Sequence, residues 1–304
     1  MWHQVAGWLR SGGKSRPAHR RWARWLGRNW ARVSYGIRVE PTWLELNHFE
    51  IPVRDLPPAF AGFRVAQLTD FHCSRQVTAD YLGEAVALTA AQQADVVVLT
   101  GDFVHKGYKY VERVAQVLSR LQAPQGVWAV LGNHDFSVRN ALGFRRYRHL
   151  HQAVADALTA QGIRVLRNET VRLERQDAEL YLTGVDDLWS RVCDVNRALA
   201  DLKPETPRVV LAHNPHTIEQ LNGHRCDLML SGHTHGGQVN WPGIGRPMLT
   251  KRGRQFAAGL YQHKDSYLYV NKGVGFGIRF RFGVRPEVAV ATLVPQIESA
   301  PSSA

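Results

Sequence analysis

Five short apolar runs in this chain each stop at a small or turn-forming residue and pass directly into Asp, Asn or His. Residues 63–69 lead into Asp70-Phe71-His72, and 95–100 into Gly101-Asp102. Residues 127–131 lead into Gly132-Asn133-His134-Asp135, 209–212 into His213, and 227–231 into Gly232-His233-Thr234-His235. Brief β-branched and aliphatic runs closed by turn residues read as buried strands. A strand end is a rigid mount for a side chain. Five such ends meeting at one sheet edge would gather carboxylates, an amide and imidazoles around a common point, a donor set suited to N/O-ligated metals.

Between the strands lie stretches with helical character at 78–93, 110–121, 145–160 and 216–221, with Thr78 placed to cap the first. Further strand-like runs occur at 163–166, 180–184, 256–261, 267–270 and 288–294. The alternation argues for α/β layers with helices outside the sheets. A chain of 304 residues, 44% of them hydrophobic, can bury one large core or one core with a small appendage. The expected organisation is an arm at 1–38, a leading strand and linker at 39–60, a main domain at 61–298 and a small-residue tail at 299–304. Pro41, Pro52, Pro57 and Pro58 punctuate the linker. Cys73, Cys193 and Cys226 lack paired spacing, which excludes a disulfide framework and a zinc ribbon and fits a reducing compartment. Each is expected to be a small buried apolar residue.

The net charge of +12 is unevenly placed. Residues 1–38 hold nine Arg and Lys and no Asp or Glu, so the body is close to balanced. The arm also contains Trp2, Trp8, Trp22, Trp25 and Trp30. On a helix of about 100° per residue, Trp22, Trp25, Leu26, Trp30 and Val33 share one side. Arg20, Arg21, Arg24, Arg28 and Arg32 share the other. That is the pattern of a helix lying in a membrane interface. A basic nucleic-acid arm or disordered tail and a plain structural helix are the competing readings. Arginines interrupt every candidate signal-peptide core, and no run reaches the ~20 apolar residues of a membrane-spanning helix. The expectation is peripheral attachment to an anionic membrane surface, on the cytoplasmic face of the inner membrane.

Taken singly, the polar motifs are weak. As an ordered set, Asp70-x-His72, Gly101-Asp102, Gly132-Asn133-His134-Asp135, His213 and Gly232-His233-x-His235 resemble the five motifs of the calcineurin-like metallophosphoesterases. The likeness spans roughly 60–295. The longer string Gly232-His233-Thr234-His235-Gly236-Gly237-Gln238, with Gly184-Val185-Asp186-Asp187 and 281–288, is similar to the membrane-associated bacterial branch. Some members of that branch are phosphodiesterases, and some hydrolyse the diphosphate of UDP-2,3-diacylglucosamine. The resemblance implies a layered α/β sandwich of two mixed β-sheets flanked by helices, and two divalent metal ions (manganese, iron or zinc). It implies that Asp70, His72 and His235 hold one ion, that Asn133, His213 and His233 hold the other, and that Asp102 bridges them. Such a pair activates water near neutral pH and clamps phosphate oxygens during in-line attack. The family assigns His134 to the leaving-group oxygen, and Asp135 is expected to hold its ring in the needed tautomer.

One departure stands out. Many relatives carry an acid three positions after the Asp of Gly-Asp, whereas this chain has His105. His105 is read as a substrate-phosphate contact or as a surface histidine. Arg139 and Arg145, with Arg146 and Arg148, are read either as attractors for an acidic diphosphate or as a solvated helix face. Asp186 and Asp187 are candidates for the rim of the site. The glycine-rich 273–277 does not open a helix after a strand, so it is expected to be a loop near the site rather than a nucleotide loop. The expected activity is hydrolysis of a phosphodiester or diphosphate bond in a phosphorylated, lipid-linked small molecule. A nuclease or nucleotide phosphodiesterase on the same fold, and a non-catalytic scaffold, are the alternatives. The balanced body argues against a nucleic-acid partner, and all seven ligand positions being intact argues against a scaffold.

Overall fold

The computed structural model describes residues 18–138, 142, 146–221 and 223–296. In chain order the strands are β1 (Glu45–Val53), β2 (Arg64–Leu68), β3 (Val96–Thr100), β4 (Val127–Val130), β5 (Arg164–Val165) and β6 (Glu169–Arg175), followed by β7 (Ala178–Gly184), β8 (Arg208–Leu211), β9 (Leu228–Ser231), β10 (Gly259–His263), β11 (Ser266–Val270) and β12 (Glu287–Pro295). The α-helices are α1 (Ala18–Arg38), α2 (Ala79–Ala90), α3 (Val111–Leu118), α4 (Leu150–Ala160) and α5 (Val195–Ala198).

The strands form two six-stranded sheets, ordered β1-β12-β2-β3-β4-β5 and β10-β11-β9-β8-β7-β6. In the first, only β12 and β2 pair antiparallel; in the second, the two outer hairpin pairs do, and the inner strands run parallel. The period-two alternation of each strand assigns its faces. Val96 and Val98 point between the sheets, where they meet Leu182, Leu211 and Leu230, while Val97 and Leu99 point to the layer of α2, α3 and α4. Val210 and Met229 point to the outer face of the second sheet, under α5 and the 3₁₀ turns. Strands buried on both faces explain why β3 is apolar throughout rather than alternating with polar residues. The result is a helix–sheet–sheet–helix sandwich of mixed sheets, as expected.

Several local expectations shift. Thr78 does cap α2, its hydroxyl accepting from the Tyr81 amide at 3.3 Å. The helix expected at 216–221 is a 3₁₀ helix, Pro215–Leu221, and α4 begins only at Leu150. The strand expected at 256–261 is β10, with later bounds. β6 has no counterpart among the expected strands because only Val171 and Leu173 of its seven residues are apolar. The division at residue 61 is not structural: β1 pairs with β12 over nine residues and belongs to the main domain. Cys73 and Cys226 are buried, whereas Cys193 is only half-buried. The tail at 299–304 lies outside the described residues, and among those described no helix is long and apolar enough to cross a membrane.

Candidate metal centre

The carboxyl ends of β2, β3 and β4 in one sheet and of β8 and β9 in the other converge on one edge of the sandwich, where ligands of parallel α/β sheets ordinarily sit. The sheets are tied together there. Gln67 Nε2 donates to the Thr100 hydroxyl at 2.8 Å and to the Ser231 carbonyl at 3.0 Å. The loops after the strands pass so close that side chains are excluded. A Cβ on Gly132 would sit 2.3 Å from Asp102 Oδ1, and one on Gly232 would sit 2.3 Å from Asp70 Oδ2. This is why glycine precedes Asn133 and His233.

All seven side chains expected as metal ligands meet at this edge. Asp70 Oδ1 lies 3.3 Å from His235 Nε2 and 3.9 Å from His72 Nε2, and the two imidazole nitrogens are 2.8 Å apart. Beside this cluster, Asn133 Oδ1 lies 3.2 Å from His213 Nε2 and 2.9 Å from His233 Nδ1. Asp102 Oδ2 stands between the clusters, 3.5 Å from His72 Nε2 and 3.3 Å from His213 Nε2. Donors sharing one ion at bonds of about 2.0–2.2 Å are separated by about 3.0–3.5 Å. Most of these distances match the edges of two coordination shells sharing one carboxylate oxygen, so the donor set fits a pair of divalent ions. The same residues recur in compact groups of potential ligands, Asp70–His72–His235 and Asp70–Asp102–His213.

Each donor atom is aimed by what the rest of its side chain does. The Asn133 amide donates from Nδ2 to the Val138 carbonyl at 2.6 Å, which turns Oδ1 inward. Asp102 Oδ1 accepts from the His134 amide at 2.8 Å, leaving Oδ2 for the shared position. His213 Nδ1 lies 2.7 Å from the Thr100 carbonyl, which can only accept; Nδ1 therefore carries the proton and Nε2 presents a lone pair. Five of the seven ligands adopt positive φ: Asp70 at 54°, His72 at 44°, Asp102 at 57°, His233 at 72° and His235 at 51°. Non-glycine residues there cost about 1–3 kcal/mol each and persist only where surroundings over-determine them. Here strand-end hydrogen bonds do so, from Asp70 N to the Gly101 carbonyl and from His72 N to the Asp102 carbonyl, each 2.9 Å.

The electrostatics ask for cations. Burial raises Asp70 to about 7 and lowers His233 to about 3, and it holds His72 and His235 well below the imidazole range. Burial also opposes charging His213, yet the Asp102 carboxylate beside it pushes its pKa up to about 10. Burial opposes Asp102 ionisation in turn, but the surrounding imidazoles, His213 first, hold its carboxyl well below the usual range. Neutral His72, His233 and His235, buried carboxylates and a His213 proton held by Asp102 that an ion can replace form a pocket that divalent charge completes.

His134 and Asp135 separate in role. The His134 ring lies edge-on to His72 with centroids 4.6 Å apart, and its Nδ1 donates to the His105 carbonyl at 2.8 Å. The backbone of His105, not Asp135, therefore sets the tautomer, which corrects the expectation for Asp135. The Asp135 carboxylate instead accepts the amides of Gly132, Asp102 and Phe103 at 2.9 Å each, clamping the β3 and β4 loops together. The His105 ring packs 5.5 Å from His72 and 5.4 Å from His134, at the edge of the centre. Arg139 and Arg145 lie outside the described residues; Arg146 is exposed. Asp186 is paired with Arg167, and Asp187 Oδ2 accepts the Trp189 and Ser190 amides, so these acids build the loop beside the site. The 273–277 loop packs behind Asp70, with the Val274 and Gly275 amides donating to the Thr69 and Asp70 carbonyls.

Two residues at the centre had been given no role. Trp189 meets the His233 ring edge-to-face at 4.4 Å, and the Asp-Asp turn just before it was the only signal for its placement. Arg281 is fully buried, with one nitrogen 3.4 Å from His235 Nδ1 and donating to the carbonyls of Lys272, Gly273 and Gly275. A cleft of about 670 Å³ opens from His233 and His235, walled by Leu188, Trp189, Met248 and Leu249.

Residues 63–237 match the family model described as calcineurin-like phosphoesterase. The chain is 33% identical to Phosphodiesterase YaeI of Escherichia coli over 84% of this chain and 90% of that protein. It is 29% identical to the UDP-2,3-diacylglucosamine pyrophosphatase LpxG of Chlamydia trachomatis over 82% of this chain and 92% of that one. It is also 32% identical to a transmembrane protein with a metallophosphoesterase domain from Danio rerio, over 79% of this chain and 55% of that one. With the ordered motifs folded into one centre and the family model covering more than half its length, the chain belongs to the calcineurin-like metallophosphoesterases, a family of metal-dependent phosphoric ester hydrolases.

Proposed function

We propose that this metallophosphoesterase uses a dinuclear centre to hydrolyse a phosphodiester or diphosphate bond in a lipid-linked substrate, at the cytoplasmic face of the inner membrane. The observation that carries the dinuclear reading is Asp102, whose Oδ2 faces both donor clusters. Asp70, His72 and His235 would hold one ion and Asn133, His213 and His233 the other, with manganese, iron and zinc all matching the donors. Bound ions supply a water of lowered pKa and charge to hold the phosphate oxygens. His134 serves the leaving group. Its Nδ1 is committed to the His105 carbonyl, so Nε2 is the atom that passes a proton to the departing oxygen as the P–O bond breaks, and a proton from the attacking water restores it. The lipid-linked part of the reading is supported by the apolar cleft walls and by the exposed tryptophans of α1. UDP-2,3-diacylglucosamine is the named candidate because one relative bears that activity in its name.

The test is a hydrolysis screen in manganese and detergent, with UDP-2,3-diacylglucosamine beside simple chromogenic phosphodiesters. Cleavage is expected, and His134→Ala should lower kcat by roughly 10²–10⁴-fold. A Asp102→Asn variant that turns over as fast as the wild type would refute the dinuclear reading. Cleavage of simple diesters with no action on the lipid-linked compound would leave the centre in place and remove the substrate.

A further inference from the structure

The tips of two loops beside α1 share its unusual surface. Ile244 is 66% exposed at the tip of the turn closed by Trp241 N and the Gly245 carbonyl at 2.7 Å. Ile278 is 62% exposed on the loop leading to Arg281. Trp22, Trp25, Leu26 and Trp30 of α1 are all more than half exposed, so the body of the protein does not cover them.

These exposed groups belong to one assembly. Arg281 N donates to the Gly36 carbonyl at 2.9 Å, and Arg279 Nε to the Ile37 carbonyl at 3.3 Å. The Tyr35 ring packs edge-on against Phe282. Trp241 lies 4.8 Å from Phe282, and the Arg32 guanidinium lies over the Trp241 ring at 5.9 Å. The assembly is tied to the centre as well, since Gln238 Nε2 donates to the Ile278 and Phe280 carbonyls three residues after His235. Met248, half-exposed four residues beyond Ile244, walls the cleft.

Charge identifies what such a surface meets. Residues 18–38, 241–254 and 272–285 contain no Asp or Glu in a chain that has 26. They contribute Arg28, Arg32 and Arg38, then Arg246, Lys251, Arg252 and Arg254, then Arg279 and Arg285. Arg252 is paired with Glu219 and Arg285 with Glu45, but the three stretches carry no acid of their own, and their exposed tryptophan and isoleucine set among arginines match an anionic lipid headgroup layer over acyl chains. A water-exposed protein partner would not require the acids to be absent from three separate stretches.

We infer that the Ile244 and Ile278 loop tips dock together with α1 on an anionic phospholipid bilayer, which sets the mouth of the catalytic cleft against the lipid. The inference rests on the membrane-surface reading of α1 and extends it to a second, rigidly attached contact that orients the enzyme. A tethered arm alone would leave the cleft free to face any direction.

The experiment is sedimentation of the full chain with phosphatidylcholine vesicles, with and without phosphatidylglycerol. It compares wild type, Ile244→Asp/Ile278→Asp and Trp25→Asp/Trp30→Asp, with hydrolysis of a soluble phosphodiester read in parallel. Wild type is expected to bind the anionic vesicles. The isoleucine double variant should bind them roughly tenfold more weakly while cleaving the soluble diester at the wild-type rate, which shows that its fold is intact. An isoleucine variant within about twofold of wild type, beside a tryptophan variant that no longer binds, overturns the loop contact and leaves the arm reading standing. Wild type that ignores anionic vesicles overturns both. A change from dimer to monomer in the isoleucine variant, at unchanged vesicle affinity, assigns the face to a second copy and overturns the inference.

Discussion

At the scale of the residue, position in the centre is decided by what each side chain spends its other atoms on. Asp135 shows this most clearly. Its neighbour relation to His134 in sequence implies an Asp–His pair, but its carboxylate is consumed by four amides of two loops. Asp135→Asn offers one acceptor oxygen and turns an NH₂ toward backbone donors. It should lose about 1–3 kcal/mol of stability, read as a lower Tm. The pH profile of kcat should keep its shape, because the His105 carbonyl still holds the His134 tautomer. A profile that moves with normal Tm would restore the Asp–His pair. Trp189 makes the opposite case, a residue with no motif spacing that ends against a metal ligand. Trp189→Ala should raise KM for a substrate with an apolar group several-fold more than for a minimal phosphodiester, since the cleft wall is removed and the ligands stay. Equal changes in both KM values would show that Trp189 only supports His233.

At the scale of the element, the strands mount the ligands and the glycines let the mounts meet. The β4 loop approaches the β3 loop, and the β9 loop of the other sheet approaches the β2 loop, to within a methyl group. Gly132→Ala would place a carbon against Asp102, which forces the shared carboxylate aside. Activity should fall at least as far as in Asp102→Asn, and metal content by elemental analysis should drop from two ions toward one. A fully loaded, active Gly132→Ala protein would mean that the β4 loop yields, contrary to the interlocked hydrogen bonds. Strand existence was legible because a strand buried on both faces is an unbroken apolar run, as Val96–Thr100 is, whereas the layer each side chain faces was not. β6 and the 3₁₀ character of Pro215–Leu221 were not legible, because an edge strand with only Val171 and Leu173 on its inner face carries a weak apolar signal and a short helical segment is set by its neighbours' packing.

For the molecule as a whole, stability should depend on pH in a way that reveals the metals. His213 is raised from 6.5 to about 10 and Asp70 from 3.8 to about 7, the first by Asp102 against the opposing effect of burial, the second by burial itself. Both groups keep their protons longer folded than unfolded, so the stability they contribute is present at low pH and lost as pH rises through those values. The buried imidazoles His72, His233 and His235 act in the opposite sense, but only below about 6.5, where the unfolded chain still takes up protons. Metal-stripped protein should therefore lose stability between about pH 6.5 and 10, while metal-loaded protein should hold or gain it, since cations replace those protons. Parallel Tm curves for the two forms would show that no ion occupies the buried set. What the sequence by itself determined was the set of parts: the apolar runs, the small residues that end them, the ordered ligands and a basic, tryptophan-rich helix. Local chain stiffness and hydrophobic period are short-range properties, so they can be read along the chain. Only the tertiary structure decided which donor atom faces which. It bent five ligand backbones into positive φ, gave Asp135 to the backbone and His134 to the His105 carbonyl, and brought the loops carrying Ile244 and Ile278 beside α1. Those choices depend on contacts between residues tens to hundreds of positions apart, which no local pattern encodes.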